Sequence, residues 1–117
     1  MTIIACEVSL HVGVPPSGGE VPWGRTFDEA LAALSELPQL YTELDGSFAW
    51  NSLPGEEPWQ LFGCLYDRGT ELAYVDLFGN CSRDGLKQLF DAVRGTTPLL
   101  VQSRIGGTFC TETEFVG

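Results

Sequence analysis

The segment that most constrains this chain is a hairpin that is apolar on both of its faces. It runs from Trp59 to Tyr66, turns through Asp67, Arg68 and Gly69, and returns from Glu71 to Phe78. Alternate residues of a strand point to opposite sides of a sheet. One side of this hairpin therefore carries Trp59, Leu61, Gly63, Leu65, Ala73, Val75 and Leu77, an aliphatic set suited to receive a helix. The other carries Phe62, Cys64, Tyr66, Leu72, Tyr74, Asp76 and Phe78, which is aromatic, amphipathic and holds an acid. A chain of 117 residues has few helices with which to cover both sides of a sheet. The aromatic side is therefore the expected binding or dimer surface.

The flanking segments supply the rest of a sheet and its helices. Ile4, Cys6, Val8, Leu10 and Val12 alternate with Ala5, Glu7, Ser9 and His11 as a first strand. Residues 13–24 hold Pro15, Pro16, Gly18, Gly19 and Pro22 and read as a loop, with Trp23 as an anchor to the core. Thr26 and Glu29 form a capping box. Phe27, Ala30, Leu31, Leu34 and Leu37 follow at helical spacing until Pro38 stops the helix. Leu40 to Trp50 alternates as a second strand, where Gly46 marks a bulge or a close backbone approach. The hairpin turn reads as a loop with Gly69 in the left-handed position, which sets Tyr66 opposite Thr70, Cys64 opposite Leu72, Phe62 opposite Tyr74 and Gln60 opposite Asp76. Gly79 to Ser82 ends the returning strand and caps a second helix through Leu86, Leu89, Phe90 and Val93, closed by Gly95. Leu99 to Arg104 forms a last strand, broken by Gly106 and Gly107, and Thr108 to Gly117 is a short strand or an irregular end.

This order is strand, helix, three-strand meander, helix, strand, in one domain spanning residues 1–117. The expected class is α+β. The expected architecture is a two-layer sandwich, a mostly antiparallel sheet of about five strands with both helices on one face. It is close to a ferredoxin-like pattern with an extra strand, and the sequence leaves the strand order open.

Charge narrows the partners. Sixteen acids face six bases, for a formal charge of −10. That balance argues against direct nucleic acid binding and against anionic membrane surfaces, both of which require a basic footprint. It suits solubility or a basic partner, and the acids are scattered rather than blocked. No apolar run approaches the length of a membrane span. The start meets an acid at Glu7 without a basic region before it, so no signal peptide is expected and the location is read as cytoplasmic. Cys6, Cys64, Cys81 and Cys110 are widely spaced, which reads as free thiols rather than a zinc site.

The expected site residues are Phe62, Tyr66, Tyr74, Asp76 and Phe78, with Arg104 and Asp45 as polar groups at the same surface. Asp76 is the sharpest anomaly, because a carboxylate between two rings needs a partner or water. Arg104 or Gln102 would supply one if the last strand lay alongside. Glu43 and Asp45 share a side of the second strand with Tyr41, and with Asp76 would make an acidic patch. His11 is the single histidine and points with Glu7 away from the core, as a surface residue or as half of a metal or acid–base pair. No cofactor and no metal ligand set is indicated, and no catalytic set stands out.

The segments Glu43 to Trp50, Leu65 to Gly69 and Tyr74 to Gly79 are similar to a small uncharacterised bacterial family of the planctomycete type. The resemblance spans roughly residues 40 to 117. It implies a bacterial origin and carries no known activity.

The leading expectation is a non-enzymatic binding or self-associating domain, a homodimer or one with a protein partner, that uses the aromatic face. One alternative is a small-molecule-binding protein or enzyme with a pocket on that face, closed by the loop at residues 13–24. Another is an acidic inhibitor or decoy of a basic partner.

Overall fold

A computed structural model of the chain describes residues 2–12 and 22–117, so most of the expected loop before Trp23 lies outside the described residues. The elements are β1 (Ile3–Val12), α1 (Phe27–Ser35), β2 (Leu40–Thr42), β3 (Ser47–Asn51), β4 (Gln60–Arg68), β5 (Glu71–Ser82), α2 (Arg83–Val93), β6 (Leu99–Ser103), β7 (Phe109–Thr111) and α3 (Glu112–Val116). The strands form one seven-stranded sheet in the order β2-β3-β4-β5-β1-β6-β7. Every pairing in it is antiparallel. The α+β class is as expected. With β1 antiparallel to both neighbours, there is no parallel central pair of the ferredoxin-like kind. The two helical connections follow from strand direction. β5 and β6 flank β1 and run the same way, so the chain needs a long connection over β1, and α2 provides it. α1 likewise carries the chain from β1 to the far edge at β2.

Two additions raise the strand count above the expected five. Leu40 to Trp50 is a hairpin rather than a single strand. Glu43 N–H donates to the Ser47 carbonyl at 2.8 Å, and Gly46 N–H to the Glu43 carbonyl at 3.1 Å. Asp45 Oδ1 locks the turn by accepting from Ser47 N–H at 3.0 Å and from Ser47 Oγ at 2.7 Å. Gly46 sits at φ +97°, and a Cβ there would lie 2.5 Å from the Leu65 carbonyl oxygen. The close backbone approach expected of Gly46 is therefore present, inside a turn. The second addition is the tail, which forms β7 and α3. Thr111 and Glu114 make a capping box of the same kind as Thr26 and Glu29. Arg94 grips Glu112 with both Nε, at 2.8 Å, and Nη2, fastening the end of α2 to α3.

The central hairpin has a different register from the expected one. Its turn is Gly69-Thr70, with Gly69 at φ +67° and Arg68 opposite Glu71. A bulge between Tyr66 and Asp67 then sets Tyr66 opposite Tyr74, Cys64 opposite Asp76 and Phe62 opposite Phe78. The displacement from the expected pairs is even, so the two sets of side chains keep their faces. Leu72 is the exception. It lies beyond the bulge, where the extra residue reverses the facing, and it is buried in the core rather than placed among the rings.

One core joins these elements. Ala30 and Leu34 of α1 and Leu86, Leu89, Phe90 and Val93 of α2 are buried in one cluster with Leu61, Leu65, Val75 and Leu77 of the sheet. Trp23 is the expected anchor: it is buried, and its Nε1 donates to the Val93 carbonyl at 2.6 Å. Ser82 caps α2 by accepting from Gly85 N–H at 3.0 Å. No helix among the described residues is long and apolar enough to cross a membrane.

Leu89 is fully buried, so Leu89→Ala is expected to cost about 2–5 kcal/mol through lost transfer energy and the cavity left behind. Thr26→Ala removes an exposed cap and is expected to cost about 0.5–2 kcal/mol. Urea unfolding of both variants checks the size and the order of these effects.

Candidate functional site

The face of the sheet opposite the core is built by strand parity. β4 contributes Phe62, Cys64 and Tyr66, and β5 contributes Tyr74, Asp76 and Phe78. β1 extends the surface, with Glu7 opposite Phe78 and Ser9 opposite Asp76. Gln102 of β6 lies opposite Ser9, and Phe109 of β7 opposite Gln102. A single cross-strand row therefore runs Cys64, Asp76, Ser9, Gln102, Phe109.

Rings line this row. Tyr66 and Tyr74 stack at 4.3 Å with an interplanar angle of 13°. His11 stacks on the other side of Tyr74 at 6.0 Å and 16°. Phe109 meets His11 edge-on at 6.0 Å and 62°. Phe62 and Phe78 form a separate cross-strand pair at the other end of the strands. The rings are open to solvent to a degree unusual for their size: Phe78 is 54% exposed, Phe62 41% and Tyr66 37%.

The expected polar residues are placed differently from one another. Asp76 lies at the centre and accepts from Ser9 Oγ at 2.5 Å. That bond gives the half-buried carboxylate the donor it requires, from β1 rather than from Arg104. Arg104 follows β6 and is exposed, and its N–H donates to the Glu7 carbonyl at 2.9 Å. Asp45 sits at the rim in the β2–β3 turn, fully exposed, where its bonds from Ser47 hold its carboxyl below the ordinary range. Glu43 is in the same turn, so the acidic patch expected of Glu43, Asp45 and Asp76 is divided between a turn and mid-sheet.

His11 is bracketed by rings rather than joined to Glu7. Its Nε2 is buried and has no hydrogen-bond partner among the described residues. Burial pushes its imidazole below the usual value, while the charge of Asp76 and the nearby Gln102 side chain pull the other way. No group of three or more His, Cys, Asp or Glu side chains that could hold a metal occurs among the described residues. The four cysteines are free. Burial pushes the thiols of Cys6 and Cys81 up to about 12, and raises those of Cys64 and Cys110. All four are thus held as neutral thiols at neutral pH, and a neutral thiol is a poor nucleophile.

Beside this face a cleft of about 510 Å³ opens where β6 leaves β1, and Phe78 and Phe109 border both. Glu7, Ser9, His11 and Phe109 join the surface beyond the residues expected there. Parity already turns Ser9 and His11 away from the core. Their meeting with Asp76 and Tyr74 depends on β1 lying beside β5, which periodicity does not report.

The chemistry of the surface is that of contact: apolar rings around one hydrogen-bonded acid. His11 should titrate below 6.5 by NMR, and Asp76→Asn should lower its pKa further by removing the charge that favours the imidazolium. An imidazole whose pKa is lower in the folded state gives stability that declines as pH falls through the window below 6.5. His11→Gln should flatten that part of a stability–pH curve. Compared with protein-family models, with curated proteins and with solved structures, the chain matches none.

Proposed function

We propose that this chain is a non-enzymatic binding domain whose ring-bearing sheet face is a protein–protein contact surface, with a second copy of the chain as the first partner to test. The observation that carries this reading is the chemistry of the exposed face. Phe62, Tyr66, Tyr74, Phe78 and His11 gather around Asp76, with Glu7 exposed beside Phe78 as a second acid, on a chain that carries 16 acids and 6 bases. Cores of protein interfaces are enriched in aromatic residues and depleted of charge, and this patch has both properties. Contiguous exposed apolar surface of a few hundred Å² marks interaction sites. The finer architecture belongs to the same reading: two layers, with the helices on one face of the sheet and the rings left on the other. The −10 charge argues against a phosphate backbone as the partner. Free thiols at all four cysteines favour a reducing, cytoplasmic setting.

A second reading, a small-molecule binder, is favoured by the cleft, whose volume of about 510 Å³ falls within the range of ligand sites.

Tyr74→Glu places a charge at the middle of the ring row. Sedimentation at tens of micromolar should show association of the natural chain and weaken it in the variant by roughly tenfold or more, which is about 1.4 kcal/mol. Thermal unfolding of the two should be similar. A sharp loss of stability with assembly unchanged would show that Tyr74 is ordinary core, and a strict monomer in both would remove self-association.

A further inference from the structure

The cleft beside the face is lined by four consecutive residues of β1: Ala5, Cys6, Glu7 and Val8. A strand presented by its face contributes alternate residues, so a consecutive run means that the cleft meets β1 along its edge. The ladder shows why. β6 pairs with β1 from Val8 to Val12, and one bond beyond, Arg104 N–H to the Glu7 carbonyl at 2.9 Å, ends the contact. β5 continues on the other side of β1 as far as Ile3. From Ile3 to Cys6 no described strand occupies the β6 side of β1. The Glu7 carbonyl points to that side, so strand alternation also directs the main-chain groups of Ala5 and Ile3 there. A run of unpaired main-chain donors and acceptors is a template for another strand.

The walls select what can pair. Phe78 and Phe109 flank the cleft from the sheet, Ile105 from the β6–β7 turn and Phe115 from α3. Glu7 is the one charged side chain in the lining, and Arg104 stands exposed outside it. An apolar ligand without a backbone would fill the walls and leave the edge unpaired. An extended peptide satisfies both.

We propose that this cleft binds an extended segment of a partner protein as an added strand along Ile3–Glu7, a segment with apolar side chains and a basic residue set against Glu7. Main-chain bonds supply the affinity in such a mode, and the walls supply the choice of side chains. The negative charge of the chain, −10, favours a partner of the opposite sign. The site adjoins the ring surface at Phe78 and Phe109, while Tyr66, Tyr74 and His11 lie outside its lining.

The probe is a blocked hexapeptide of alternating valine and lysine, followed by amide NMR shifts and hydrogen exchange on the isotope-labelled full chain. The expected result is saturable binding, with the Ala5 and Glu7 amides slowed roughly tenfold or more when the peptide is in excess. Replacing lysine by glutamate in the peptide, or N-methylating its alternate amides, should each weaken binding by roughly tenfold or more. Glu7→Gln, at an exposed position, should reduce the lysine preference and leave the N-methyl effect in place. Tyr74→Glu should leave peptide binding unchanged, so this site and the ring surface can fail independently. Equal binding by the N-methylated peptide would overturn the proposal in favour of a simple apolar pocket. Protection of the same amides by raising the concentration of the chain alone would overturn it in favour of a second copy. Absence of binding by the valine–lysine peptide in the folded chain would overturn it outright.

Discussion

Ile3 to Leu10 of β1 pair with Val75 to Ser82 of β5, and the long-range relations of this molecule depend on that ladder. It joins the start of the chain to its middle. It places β1 between β5 and β6, which forces α2 to cross from one to the other. It also sets Ser9 against Asp76 and brings His11 over Tyr74. Without this pairing the hairpin of β4 and β5 would carry its rings on a narrow ribbon, with no donor for the acid among them. The ladder widens the ribbon into a surface.

The balance of burial and charge on that surface is unequal. The aliphatic residues of the sheet are buried in one cluster with residues of α1 and α2. On the ring side Phe62, Tyr66 and Phe78 stay exposed. Each Å² of apolar surface left in water forgoes about 25 cal/mol, so the exposed parts of Phe62, Tyr66 and Phe78 are a standing drive toward contact. Asp76 limits what that contact can be. Its carboxylate accepts from Ser9 in a half-buried position, and any partner that covers it must leave that bond intact or supply another donor. The edge of β1 is a second kind of incompleteness, of hydrogen bonding rather than of burial. The two lie side by side through Phe78 and Phe109 but ask for different chemistry, a flat apolar partner in one case and an extended main chain in the other.

Much of the local structure was legible because it is written over a few residues. The capping box at Thr26 and Glu29, the helical stripes and the buried anchor at Trp23 follow from short spacings. The misreadings have the same physical origin. Leu40 to Trp50 alternates without a break, and alternation survives a reversal of direction, so parity did not reveal the turn at Asp45 and Gly46. The dipeptide itself was the available signal. The register of the main hairpin shifted because a bulge adds a residue to one strand, and no composition cue marks the position of a bulge. Thr111 and Glu114 carry the same capping spacing as Thr26 and Glu29. The helix that follows them is short and its apolar stripe is little more than Phe115 and Val116, so no periodic signal marks it.

The sequence by itself determined which side chains share a face, because the period of a strand is a property of the backbone and needs no partner. For that reason Phe62, Tyr66, Tyr74, Asp76 and Phe78 were gathered correctly despite a mistaken register. The tertiary structure decided which strands are neighbours. It thereby selected Ser9 over Arg104 as the donor to Asp76, drew His11 and Phe109 into the ring row, and left one edge of β1 open beside the cleft. Strand order arises from contacts between residues far apart in the chain, where the energy depends on how whole faces and ladders fit together, and that fit has no local period from which to read it.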